Sequence, residues 1–152
     1  MQEKNITLNR VANHEYYILE KVEAGIVLEG GEVKSLRSGN ANLKDSFCVI
    51  HNGELLLKNM HIALYDKLGA FNTKDSKRDR KLLLHREEII KLGSKVAQKG
   101  LTIVPLRMYF KNALVKIELG LCQGKHVYDK KRSIMEKDRM RDKEREIKNY
   151  KL

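Results

Sequence analysis

The dipeptide Asn52-Gly53 lies between two short apolar runs, residues 47–50 and 55–57, and it constrains the fold more than any other local signal. Asparagine and glycine adopt the positive φ angles that a tight hairpin turn requires. The segment therefore predicts two adjacent antiparallel strands. Residues 114–121 predict another strand, because apolar and other residues alternate along it, and such a strand has one face in a core.

Further strand signals lie at residues 16–19, 25–28, 59–62 and 101–110. Pro105 lies inside the last of these segments. It predicts an edge strand or a bulge there, because proline cannot donate a hydrogen bond to a neighbouring strand.

Two segments have helical periodicity, residues 32–38 and residues 85–98. Gly39 and Gly100 follow them, and glycine is typical of the position just after a helix. Between the predicted strands and the second helix, residues 72–81 hold five basic and two acidic residues, which predicts an exposed, mobile loop. Its basic side chains add to the positive charge of the chain: Lys74, Lys77, Arg78, Arg80 and Lys81.

About six short antiparallel strands, one central helix and no alternation of strands with helices predict a mainly β fold. A small closed Greek-key barrel of the oligonucleotide-binding (OB) kind, with short helices, suits this pattern because closure protects the strand edges. We expect residues 1–124 to form the barrel domain, with a short polar leader at its start. Residues 125–152 are expected to form a separate basic tail.

The chain of 152 residues carries 31 Lys and Arg against 20 Asp and Glu, a formal net charge of +11. The tail accounts for +5 and residues 1–124 for +6, so both parts are drawn to polyanions. No apolar run approaches the ~20 residues of a membrane span, and residues 1–10 lack the apolar segment of a signal peptide. The composition predicts a cytoplasmic protein that binds nucleic acid and no membrane.

The tail contains eleven Lys and Arg, six Asp and Glu, and no Gly or Pro. Its apolar residues are too scattered to form a wide helical stripe, so it is expected to be disordered when free. On a helix, Lys137, Arg141 and Arg145 would stack at i, i+4 spacing, where like charges repel each other until phosphates neutralise them. The pattern favours a segment that folds against nucleic acid. A solvated, weakly helical extension is the alternative.

No catalytic constellation stands out. The five histidines are scattered, and none pairs with a cysteine or carboxylate at zinc-site spacing. Gly30-Gly31 lacks the lysine and Ser/Thr spacing of a phosphate-binding loop. We therefore expect a protein that is not an enzyme, with no catalytic residue, metal or cofactor. Cys48 and Cys122 lie in apolar strand segments and are expected to be reduced packing residues.

Seven phrases occur in an order and at a spacing that match one known family. They are Glu23-Ala-Gly-Ile-Val-Leu28, Glu32-Val-Lys-Ser-Leu-Arg37, Asn42-Leu-Lys-Asp-Ser46, Asn59-Met-His-Ile62, Arg80-Lys-Leu-Leu-Leu-His85, Pro105-Leu-Arg-Met-Tyr-Phe-Lys111 and Gly124-Lys-His-Val-Tyr-Asp-Lys-Lys131. Together they closely resemble the SsrA-binding protein (small protein B) family, the bacterial partners of transfer-messenger RNA (tmRNA). The resemblance runs from about Asn9 to the C-terminus.

The resemblance implies an OB-like barrel that binds the tRNA-like domain of tmRNA. It also implies a complex with elongation factor Tu that is delivered to stalled 70S ribosomes for trans-translation, with ribosome rescue and peptide tagging. The tail is then expected to pass the 16S rRNA of the decoding centre, enter the empty mRNA channel and become helical there. The alternative is a general OB-fold RNA-binding or ribosome-associated protein.

The resemblance places the tmRNA contacts of the barrel at Asn9, Glu23, Leu83 and Lys116. Each has a simpler alternative. Asn9 can bond a base edge or cap a turn, and Lys116 can meet a phosphate or stay solvated. Glu23 can accept from a base amino group or a 2′-hydroxyl, hold a neighbouring arginine, or only support the structure. Leu83 can pack against nucleotides or fill the core.

Lys34 and Arg37, on the short helix, are added as candidate phosphate contacts with tmRNA, although a solvated helix face explains them too. The resemblance places the ribosome contacts near the tail, where Tyr128 can stack on an rRNA base. Lys131 stands where arginine is commoner in the family, so Arg132 is an alternative phosphate ligand. The full candidate set is Gly124, Tyr128, Asp129, Lys130, Lys131, Arg132, Lys137, Arg141 and Arg145.

Overall fold

The structure, a computed structural model, describes residues 3–63 and 76–125. These residues form nine strands and three helices. In chain order they are β1 (Glu3–Leu8), α1 (Ala12–Glu15), β2 (Tyr16–Ile26), α2 (Gly30–Arg37), β3 (Ala41–Asn42), β4 (Phe47–His51), β5 (Glu54–Lys58), β6 (His61–Ile62), β7 (Arg80–Leu83), α3 (Arg86–Lys99), β8 (Thr102–Lys111) and β9 (Leu114–Gly124). No helix in this described part of the chain is long and apolar enough to cross a membrane.

Six of the strands form a closed ring in the order β8-β4-β5-β7-β2-β9. The ring closes because β8 pairs with β9 along one side and with β4 on the other, at Cys48 opposite Ile103. The same side of β8 also pairs with β1, from Glu3 opposite Lys111 to Leu8 opposite Arg107. All of these pairings are antiparallel, and β3 and β6 form a separate small sheet. The predicted mainly β, closed barrel is confirmed.

The inward faces of the ring strands form one apolar core. Leu55, Leu57, Ile117 and Leu119 are each 0% exposed, and Ile89 of α3 packs against the same cluster. The predicted alternation along β9 is therefore confirmed, since its apolar side points inward. Burial of side chains of this size contributes about 1.5–3 kcal/mol each.

Local signals in the sequence located several elements correctly. Asn52 and Gly53 have φ angles of 51° and 76° and join β4 to β5 as the predicted hairpin. Gly100 has a φ of 61° and ends α3. The β8–β9 register shifts between Pro105 and Arg107, so the predicted bulge is present. These features depend on the conformational preferences of single residues, which are visible in a sequence.

The N-terminal half differs from the prediction in two ways. Residues 16–19 and 25–28 were predicted as separate strands, but a single strand, β2, runs from Tyr16 to Ile26. The predicted polar leader contains β1 and α1. Strand β1 gives little apolar periodicity because it is added outside the ring, and among its residues Ile6 packs against the core cluster.

The predicted exposed loop at residues 72–81 is wrong at its C-terminal end. Arg80 begins β7 and its side chain is 0% exposed. Its guanidinium Nε donates to Glu32 Oε2 at 2.6 Å, and Nη1 donates to the Met60 carbonyl at 2.6 Å. Lys81 also belongs to β7 and pairs with Glu54 at 3.3 Å. Residues 72–75 lie outside the described residues.

Glu32 connects α2 to this buried arginine. Its Oε1 accepts from the backbone N–H of Glu29 at 3.0 Å, which closes a capping box at the start of α2. Arg78 and Arg80 both donate to the same carboxylate. Burial opposes ionisation of Glu32, but these hydrogen bonds outweigh it and lower the pKa of the carboxyl group. The ion pair therefore fixes α2 against the start of β7.

Replacing Arg80 by Ala tests the importance of this pair. The variant leaves the carboxylate of Glu32, which is 13% exposed, without its buried partner. We expect the free energy of unfolding to fall by about 3–5 kcal/mol in urea denaturation. The control is Lys81→Ala, which breaks a surface pair whose side chains are 49% and 52% exposed and should cost less than about 1 kcal/mol. Equal losses of unfolding free energy in the two variants would contradict the importance of the buried Arg80–Glu32 pair.

Candidate nucleic-acid interface

Neighbouring outward positions on four strands form one continuous surface. In the strand registers, Leu83 on β7 lies opposite Gly25 on β2, and Gly25 lies opposite Lys116 on β9. Lys116 in turn lies opposite Tyr109 on β8. The next outward residue of β2 is Glu23. We call the exposed part of this surface the outer patch: Leu83, Gly25, Lys116 and Glu23. Tyr109 lies beneath it and is 1% exposed.

The outer patch brings together three residues that the sequence indicated separately. Leu83 and Lys116 lie on strands two apart, so their backbones are roughly 10 Å from each other. Glu23 lies two positions from Gly25 on the intervening strand. An apolar, a cationic and an anionic side chain thus share one outward face of the barrel, where an RNA strand or loop can reach all three.

The alternative that placed Leu83 in the core is wrong. Leu83 is 51% exposed, whereas its neighbour Leu82 is 1% exposed. A Cβ atom added at Gly25 would lie 3.3 Å from the Leu83 Cβ. Glycine at this position therefore allows the leucine side chain to lie close against β2. An exposed leucine beside a lysine suits contact with a base or a ribose.

Glu23 is held from one side by two residues of β8. The Tyr109 hydroxyl donates to Glu23 Oε2, and the Lys111 ammonium lies 3.3 Å from the same oxygen. Among the described residues, Glu23 is thus bonded to Tyr109 and Lys111 and to no arginine, and its contact with RNA stays a prediction. The side chain remains 37% exposed, so part of the carboxylate still faces solvent.

The protonation states of this pair follow from their surroundings. The hydrogen bond from Tyr109 is the main cause that lowers the pKa of Glu23, and Lys111 adds to it against the effect of burial. Burial, and then the bond to the Glu23 carboxylate, raises the pKa of Tyr109, which is 1% exposed. At neutral pH, Tyr109 is thus a donor and Glu23 an anion. A carboxylate fixed in this way can accept from a base amino group or a 2′-hydroxyl.

Arg107 completes the support of the outer patch. Its guanidinium carbon lies 4.0 Å from the centroid of the Tyr109 ring. Its nitrogens reach Glu3 at 3.1 Å and Asn5 at 3.0 Å, and Glu118 at 3.5 Å. Sequence reasoning missed Arg107, Tyr109 and Lys111. Their alternation along a predicted strand, at positions two apart, is the signal that could have placed them on one face.

Asn9 has a structural role beside the bulge in β8. Its side-chain Nδ2 donates to the Pro105 carbonyl at 2.9 Å, and its backbone N–H donates to the Leu106 carbonyl at 2.8 Å. Its own carbonyl accepts from Ala12 at 3.3 Å. The Asn9 side chain therefore ties this segment to the bulge of β8 and does not cap α1, whose N-cap is Val11. Contact of Asn9 with RNA stays a prediction. Asn9 directly follows Leu8, which lies opposite Arg107 in the register.

The remaining sequence-predicted residues lie away from the outer patch. Lys34 and Arg37 are on α2, where Ser35 and Leu36 between them are buried. Gly124 ends β9 opposite Tyr16, and the next residue, Lys125, lies 5.1 Å from the Tyr17 ring centroid. The other predicted ribosome contacts lie outside the described residues: Tyr128, Asp129, Lys130, Lys131, Arg132, Lys137, Arg141 and Arg145.

Both cysteines are packing residues, as predicted. Cys48 is 6% exposed and Cys122 is 0% exposed, and neither forms a disulfide. Burial raises the pKa of the Cys122 thiol to about 11, which disfavours a reactive thiolate. Within residues 3–63 and 76–125, no group of three His, Cys, Asp or Glu side chains is placed to hold a metal ion.

Comparison with known proteins gives consistent matches over most of the chain. The sequence model of the SmpB protein family matches residues 6–149. The SsrA-binding protein of Pelotomaculum thermopropionicum is 52% identical over 148 residues, 97% of this chain and 96% of that protein. The SsrA-binding protein of Desulforudis audaxviator is 54% identical over 145 residues, 95% of this chain and 92% of that protein.

A solved structure also matches this chain in fold and in sequence. One chain of "tmRNA-SmpB: a journey to the center of the bacterial ribosome" is 51% identical and superposes with a TM-score of 0.66. The match covers 78% of this chain and 83% of that chain.

Replacing Tyr109 by Phe tests how Glu23 is held. The variant keeps the ring beside Arg107 and removes the hydroxyl that is the main cause of the lowered pKa of Glu23. We expect that pKa to rise toward the ordinary value of 4.5, as measured by an NMR titration of the side-chain carboxyl carbon. Glu20, whose pKa is lowered by Lys95, is the internal control and should not change. An unchanged pKa of Glu23 would mean that Lys111 alone fixes the carboxylate.

Proposed function

Because the chain belongs to the SmpB protein family, we propose that it binds the tRNA-like domain of tmRNA (SsrA) and delivers this RNA to stalled ribosomes for trans-translation. One observation carries the proposal beyond the family match. Leu83, Lys116 and Glu23, which the family resemblance singled out, share one outward face of a closed basic barrel. Such a surface can bind RNA phosphates by charge and also recognise a base or a ribose.

Each side chain of the outer patch has a separate task in this proposal. Lys116 meets a backbone phosphate as a point charge, and Leu83 packs against a base or ribose. Glu23 accepts a hydrogen bond from a base amino group or a 2′-hydroxyl. Because a free carboxylate repels phosphate, Glu23 favours only an RNA that presents a donor at the right place. This gives selectivity that net positive charge alone does not supply.

The tail has a different partner in this proposal. It passes the 16S rRNA of the decoding centre and enters the empty mRNA channel of the 70S ribosome. Lys137, Arg141 and Arg145 then lie along one side of a helix that rRNA phosphates stabilise. A helix of ~20 residues would extend about 30 Å, enough to sense whether downstream mRNA fills the channel. Elongation factor Tu joins the complex by binding the charged tmRNA. In the cytoplasm, the protein itself binds tmRNA and positions it on the ribosome, and it catalyses no reaction.

A pair of double variants with equal net charge tests the outer patch. Glu23→Ala with Lys116→Ala removes one acidic and one basic residue. Glu20→Ala with Lys95→Ala, the control, removes a surface ion pair of 2.6 Å elsewhere. We expect the first variant to lose about tenfold or more in affinity for the tRNA-like domain, because hydrogen bonds to charged groups each contribute about 1.5–3 kcal/mol. A gel-shift titration that shows the same affinity for both variants would contradict this role.

Truncation tests the tail. The cut belongs after Lys125, because Cys122 is fully buried and β9 pairs with β2 as far as Gly124. The shortened protein should bind the tRNA-like domain nearly as well as the full chain. It should not support tagging of stalled peptides in a reconstituted translation reaction. Normal tagging by the shortened protein would rule out the proposed role of the tail.

A further inference from the structure

A second basic surface lies at one end of the barrel. The β8–β9 hairpin separates it from the outer patch. It is a cleft of about 500 Å³ lined by Lys4, Arg37, Phe110, Asn112 and Ala113. Lys4 of β1 lies opposite Phe110 of β8 in the strand register, and Arg37 is the last residue of α2. We call this the Lys4–Arg37 cleft. Its volume is within the range of sites that hold a small organic ligand or a nucleotide.

The charge of the cleft is not neutralised by nearby carboxylates. Among the described residues, Lys4 and Arg37 form no ion pair, whereas Lys111 and Arg107 on the neighbouring face are paired with Glu23 and Glu3. In the same part of the chain, no acidic residue lines the cleft. Glu3 is next to Lys4 in sequence, but strand alternation directs it to the other face. An anionic ligand is therefore the one that this cleft fits.

The cleft also offers a flat apolar wall. Phe110 is half-buried and packs partly against the core cluster, so its ring is held in place while it lines the cleft. Asn112, in the turn that follows, has a φ of 56° and is exposed. A cleft lined by an aromatic ring and two cations can take a base against the ring and a phosphate at the cations.

We propose that the Lys4–Arg37 cleft binds one nucleotide of the RNA, with its base against Phe110 and a flanking phosphate between Lys4 and Arg37. This inference rests on the proposed function and adds a second contact to it. Lys111 reaches Glu23 in the outer patch, while the adjacent Phe110 lines the cleft. One RNA that folds around the hairpin can therefore occupy both surfaces. Arg37 was indicated by the sequence alone, but Lys4, Phe110 and Asn112 were not.

The test compares two double variants of the full chain that remove the same charges. Lys4→Ala with Arg37→Ala alters the cleft. Arg86→Ala with Lys91→Ala, both exposed on α3, is the control. Binding of the isolated tRNA-like domain is measured by fluorescence anisotropy at several salt concentrations. We expect the cleft variant to lose about tenfold more affinity than the control. We also expect the slope of log K against log salt to become shallower by about 1 for each phosphate that the cleft variant no longer binds.

Phe110→Leu separates stacking from charge. It should weaken binding about fivefold or more without changing the salt slope, because both cations that bind phosphate are kept. A thermal melt shows whether this variant is folded, and the Lys4/Arg37 variant tests the cleft independently of that result. Equal losses and equal slopes for the cleft variant and the α3 control would overturn the inference, because diffuse positive charge would then explain binding.

The two proposals fail in different ways. If the unaltered protein binds the tRNA-like domain no more tightly than ordinary tRNA, the proposed function fails. If it prefers the tRNA-like domain but the cleft variant behaves like the α3 control, only the cleft inference fails. A selective loss in the cleft variant, with either RNA, supports the cleft as a nucleotide site.

Discussion

The pairing of β8 with β9 on one side and with β4 on the other closes the barrel, and the outer patch depends on it. Closure fixes the registers that align Leu83, Lys116 and Tyr109 across separate strands. It also places one aromatic residue of β8, Phe110, in a cleft and its neighbour Tyr109 under a carboxylate. Because side chains alternate along a strand, one strand thus serves two surfaces of the same barrel.

The outer patch combines attraction with selection. A protein with a net charge of +11 attracts any RNA, so positive charge by itself cannot distinguish one RNA from another. Glu23 opposes that general attraction, and Tyr109 and Lys111 hold it as a fixed anion. Its position makes physical sense if the correct RNA offers a hydrogen-bond donor there and incorrect RNAs offer phosphate. The support behind the carboxylate is then as important as the carboxylate itself.

The sequence predicted well the features that depend on neighbouring residues. It missed the contacts between residues that are far apart in the chain. The Asn52-Gly53 hairpin and the bulge at Pro105 follow from the conformations that those residues allow. Arg80 was placed in an exposed loop because its partner, Glu32, is 48 residues away. The bond between Glu23 and Tyr109, 86 residues apart, was likewise invisible to local patterns. Family resemblance indicated Glu23, but the reason for its position required the strand registers.

The most direct test of the account is a competition experiment with the unaltered protein near physiological salt. Labelled tRNA-like domain of tmRNA is bound first, and ordinary tRNA is then added in increasing excess. The account predicts that ordinary tRNA displaces the tRNA-like domain poorly. The fixed carboxylate of Glu23 and the exposed Leu83 recognise hydrogen-bond donors and apolar groups of the RNA, which net charge cannot distinguish. Equal displacement by either RNA, with a steep dependence on salt, would contradict the account and favour a general RNA-binding protein.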